Sequence, residues 1–94
     1  MKEIILKDEK WGENEHHFLK AVIKNNGDLV FEGIQSGDSV KERFGDFDLE
    51  YWYTIGAEFV YEILLNLLGE KFHHISHVLK WLKNKEIPYN TTSF

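Results

Sequence analysis

The sequence predicts an α+β domain, a mostly antiparallel sheet with helices packed on one face. The predicted order is β-β-β-α-β-α-α with an optional C-terminal strand. Three observations lead there. The chain up to about Ile55 reads in apolar period two and the remainder in helical period, so strands and helices are segregated along the sequence. An Asn-Gly pair sits between two strand-like arms, the signature of a hairpin. A short capped helix then leads into the most regularly alternating strand in the chain.

Taken in order, Ile4-Ile5-Leu6 is a short apolar run that reads as a first strand, closed by the charged, glycine-containing stretch Lys7 to Glu15. His17 to Lys24 and Leu29 to Ile34 flank Asn25-Asn26-Gly27-Asp28, residues that supply the positive φ angles tight turns demand. On the first arm Leu19, Ala21 and Ile23 share one face and are expected to point to the core, with Phe18, Lys20, Val22 and Lys24 on the other. Ser39 and Glu42 are spaced as a capping box for a two-turn helix that Gly45 ends. Phe47, Leu49, Tyr51, Tyr53 and Ile55 alternate with Asp48, Glu50, Trp52 and Thr54, which predicts a central or near-central strand. Val60, Ile63, Leu64, Leu67 and Leu68 recur at helical spacing until Gly69, and a second helix is expected over about Lys71 to Asn84. Pro88 must follow a helix end, leaving Ile87 to Phe94 for an edge strand or an ordered tail.

Length bounds the organisation to a single domain, residues 1–94. Apolar residues make up 43% and aromatics 15%, so a core can offset chain entropy without a metal or disulfide. The absence of cysteine removes disulfides, thiolate zinc sites and cysteine nucleophiles together. Ile4 to Leu6 is too short for a signal-peptide core, and Phe59 to Leu68 is about half the roughly 20 residues a bilayer span needs. A cytoplasmic protein with no membrane association is therefore expected. Sixteen acids against 11 bases give a net charge of −5, which disfavours nucleic acid and points to a basic protein partner.

Each candidate site has a simpler role beside it. On a continuous helix His73 and His77 would project side by side, as in two-ligand metal sites, but a third ligand is missing and both fall opposite the apolar stripe of Phe72, Ile75, Leu79 and Leu82. They are a weak metal alternative beside a solvated helix face, and no cofactor is expected. His16-His17 could complete such a cluster only if the fold brought it there. Asp46, Asp48, Glu50 and Glu58 supply carboxylates, yet on the polar face of a strand none is desolvated as acid-base work requires. No nucleophile elbow accompanies Ser36, Ser39 or Ser76, and no phosphate-binding loop is present. Trp52 interrupts the acidic side of its strand. Two readings stay open for it: an aromatic ringed by acids that suits a cationic partner, or a side chain buried beneath a helix.

Several segments together resemble a widespread group of small uncharacterised bacterial α+β proteins. The matching pieces are Leu29-Val30-Phe31-Glu32-Gly33, Ser39-Val40-Lys41-Glu42-Arg43-Phe44-Gly45 and Asp48-Leu49-Glu50-Tyr51-Trp52-Tyr53-Thr54-Ile55, with Ala57-Glu58 opening a helix and Ile87-Pro88 leading to a terminal aromatic. The likeness covers residues 27–94, with Gly56 standing where a proline is expected. It implies an α+β fold and passes on no catalytic residue.

The expectation is a small acidic protein-binding domain, not an enzyme, of the immunity or inhibitor kind. It would occlude a basic partner surface through Asp46, Asp48, Glu50 and Trp52. The alternatives are a self-associating accessory or regulatory domain, a homodimer paired through the tyrosine strand or the C-terminal segment, and, third, a metal-dependent enzyme using His73 and His77.

Overall fold

The structure, a computed structural model, describes residues 2–45 and 48–92. In chain order the elements are β1 (Lys2–Trp11), β2 (Glu15–Ile23), β3 (Leu29–Ser36), α1 (Asp38–Phe44), β4 (Asp48–Ile55), α2 (Ala57–Lys71) and α3 (Ile75–Asn84). This is the expected α+β order. The optional last strand does not form over residues 87–92, which are neither helix nor strand. Two compact units follow one another, Met1–Tyr61 and Glu62–Phe94.

In the first unit the strands form one antiparallel sheet in the order β1-β2-β3-β4, a meander with β1 and β4 at its edges. β1 does not stop at Leu6 but continues through the charged stretch to pair Trp11 with Glu15. An edge strand wet on both faces tolerates those charges, and Asp8 meets His16 at 2.9 Å across the pair. The extra length is absorbed by a register shift between Ile5 and Lys7, a β-bulge at Leu6.

Register follows from the turn between β2 and β3. The Lys24 N–H donates to the Asp28 carbonyl at 2.8 Å and the Gly27 N–H to the Lys24 carbonyl at 2.9 Å. Only Gly27 in this turn takes a positive φ, 93°. Asn26 keeps a negative φ and uses its side chain instead, accepting from the Asp28 N–H at 3.0 Å. A three-residue loop ending in a left-handed glycine therefore replaces the two-residue turn that an Asn-Gly pair favours.

One sheet face carries Phe18, Lys20 and Val22 beside Ile34, Glu32 and Val30, and then Glu50, Trp52 and Thr54. The opposite face carries Leu19, Ala21, Leu29, Phe31, Tyr51 and Tyr53. Val22 was expected on the outward set, yet it is 1% exposed, the most enclosed large side chain described, while Ile23 of the expected inward set is exposed. Val22 faces Val30 across the two inner strands, so neighbours enclose it on both sides. Leu29, Val30 and Val40 complete the buried large apolar residues among those described. On the second face Gly33 leaves room for the Tyr51 ring of its β4 partner; a Cβ at that position would overlap the ring.

α1 is capped differently from the local capping box. Its N-cap is Gly37, without a side-chain cap bond. The Glu15 carboxylate at the start of β2 accepts the Ser39 N–H at 2.9 Å and the Ser39 hydroxyl at 2.8 Å. α2 is likewise opened by a distant side chain: Asp28 Oδ1 accepts the Ala57 N–H at 2.9 Å.

α2 passes through Gly69 to Lys71, and the predicted helix over 71–84 begins only at Ile75. On one continuous helix Phe72 and Trp81 would be about 13.5 Å apart along the axis. The break at 72–74 lets their rings meet edge-on at 6.1 Å. α3 closes with the Ile87 N–H donating to Leu82 O at 2.9 Å and the Glu86 N–H to Lys83 O at 3.1 Å, a Schellman closure whose left-handed residue is Glu86. No helix among the described residues is long and apolar enough to cross a membrane.

Candidate protein-binding face

β4 presents Asp48, Glu50, Trp52 and Thr54 on one side because the backbone alternates and its register with β3 is unbroken from Ser36↔Asp48 to Leu29↔Ile55. Trp52 is 60% exposed. It sits opposite Glu32, and Glu50 sits opposite Ile34. Between them lies a depression of about 200 Å³ walled by Phe18, Lys20, Glu32, Ile34, Glu50 and Trp52. Asp46, the remaining expected member, lies outside the described residues.

Charge on this face is unevenly matched. Lys20 Nζ lies 3.3 Å from Glu3 and 3.4 Å from Glu32, and Lys24 reaches Glu32 at 3.5 Å. The Glu3 carboxylate, and after it Glu32, holds Lys20 above the usual lysine range. Elsewhere on the strands Asp8 meets His16, Glu9 meets Lys7 at 3.5 Å, and Glu15 is held below the usual carboxylate range by the backbone and then the hydroxyl of Ser39. Among the described residues Asp48 and Glu50 are the strand acids without such a partner. The negative charge left over on the sheet is therefore concentrated on β4 beside an exposed indole.

Sequence reasoning missed the floor of this depression, although a signal existed. Lys20 and Glu32 stand equally far from the turn, so the hairpin itself predicts their pairing.

The histidines are arranged otherwise than a helical i, i+4 pair requires. His73 lies in the connection between α2 and α3, and His74 is the α3 N-cap in extended conformation. The ring beside His77 is that of His74, edge-on at 5.4 Å. No group of three or more His, Cys, Asp or Glu among the described residues is placed to hold a metal ion. His16 is engaged with Asp8, and His17 packs edge-on against Trp11 at 4.6 Å.

Compared with protein families, curated proteins and solved structures, the chain matches none.

Proposed function

We propose that the chain is a small protein-binding domain of the immunity or inhibitor kind, which acts by covering a basic surface of its partner. The observation that carries this reading is the exposed Trp52 on one strand face with Asp48 and Glu50, carboxylates that no cation of the described chain neutralises. Unmatched acids steer a basic partner into encounter, and an exposed indole then contributes apolar area and a cation-π contact. The mechanism is occlusion, with no chemical step. A net charge of −5 adds long-range attraction that salt screens over about 8 Å at physiological ionic strength.

Capture from the native host with the tagged chain, followed by binding measurements on the purified partner, tests this. The D48K/E50K variant should lose the partner, and the native complex should weaken as salt rises. A partner held equally by both forms at all salt concentrations refutes the placement.

A further inference from the structure

We infer that β4 receives its partner as an added strand: an extended segment with Lys or Arg at alternate positions pairs along the free edge of β4, its cations facing Asp48 and Glu50. This rests on the proposed reading and names the form of the partner.

The two edges of the sheet are not alike. β1 carries the protections natural edges use, with a bulge at Leu6 and lysines at Lys2, Lys7 and Lys10. β4 carries none of them. Over Asp48–Ile55 it has no proline, no lysine or arginine and no register shift. Strand pairing leaves it hydrogen-bonded to β3 alone, and no backbone hydrogen bond outside the sheet and helices involves its residues among those described. Its outward N–H and C=O groups, on alternate residues of an eight-residue strand about 26 Å long, are thus left for pairing.

The side chains decide what pairs there. Asp48 and Glu50 are two apart, hence on one face, so an added strand answers them with cations two apart. The intervening residues of that strand would lie beside Leu49, Tyr51 and Tyr53, which suits β-branched or aromatic side chains. A second copy fits less well. Joining two β4 edges in a continuous sheet gathers the unmatched carboxylates of both chains onto one seam, between chains that each carry −5.

The test uses a blocked octapeptide of alternating lysine and valine, titrated into the full chain by calorimetry with amide exchange read at β4. Binding should be lost with a glutamate-valine octapeptide and fall roughly tenfold or more in D48K/E50K. Two further peptides carry N-methyl groups on alternate backbone amides, one in each register. One register faces β4 and should abolish binding with loss of amide protection, while the other should bind like the parent. If both N-methylated peptides bind like the parent, strand addition is wrong although a carboxylate-dependent basic surface still stands. If D48K/E50K binds the parent peptide as tightly as the native chain, the proposed function fails as well. A peptide-free dimer with protected β4 amides would give the edge to a second copy and overturn the inference.

Discussion

Replacing Asp28 by alanine removes the acceptor that opens α2 from another element. In the native chain Asp28 Oδ1 takes the Ala57 N–H at 2.9 Å, while Oδ2 takes the Asn26 amide at 3.1 Å. Loss of a helix-capping acceptor costs about 1 kcal/mol. Loss of a negative charge at a helix N-terminus adds about 0.5 kcal/mol. The Asp28 N–H keeps its bond to Asn26 Oδ1, and the Asn26–Asp28 side-chain contact is exposed, so neither adds much. Asp28→Ala should therefore cost about 1.5 kcal/mol, read as a lower urea midpoint at unchanged slope by circular dichroism. Asp28→Asn retains an oxygen acceptor and should forfeit only the charge, about 0.5 kcal/mol. Equal losses in the two variants would show that the capping bond contributes nothing; an alanine variant as stable as the native chain would remove both contributions.

Two other perturbations follow from the sheet. Gly33→Ala should cost about 1–3 kcal/mol because the new methyl displaces the Tyr51 ring, and it should cost distinctly less in a Tyr51→Ala background; equal costs in both backgrounds would dissociate the glycine from the ring. For Glu15→Gln the dependence on pH is the readout. The native carboxyl is held below its usual range, so its stabilisation is present above that range and is lost as pH falls through the lowered value. The gap in urea midpoint between native and Gln forms should be full at neutral pH and close in acid. A gap that does not change with pH would place the effect outside the carboxylate charge.

What was legible from residues alone divides along a physical line. Two local signals were faithful: the Asn-Gly pair located the hairpin, and parity placed Trp52 beside Asp48 and Glu50. Interactions between distant parts of the chain were not. Ser39 looks like its own cap because Glu42 follows at the right spacing, whereas the acceptor is Glu15, 24 residues earlier. Gly69 looks like a stop, yet a helix interior tolerates glycine at a cost of about 1 kcal/mol. No breaker marks the turn after Lys71, since the aromatic contact of Phe72 with Trp81 becomes visible only in three dimensions. Exposure of Trp52 is a property of the folded chain, which alternation within one strand does not encode.

The bulge at Leu6 also bears on how many molecules can join. A sheet open at both edges can add copies head to tail, and unless the rotation closes, such contacts build filaments of indefinite length. Here the far edge is interrupted by the bulge after Ile5, so β4 of one molecule meets no unbroken acceptor on β1 of the next. A domain can thus leave one edge bare for recognition and still escape fibrous growth, because the opposite edge ends the series.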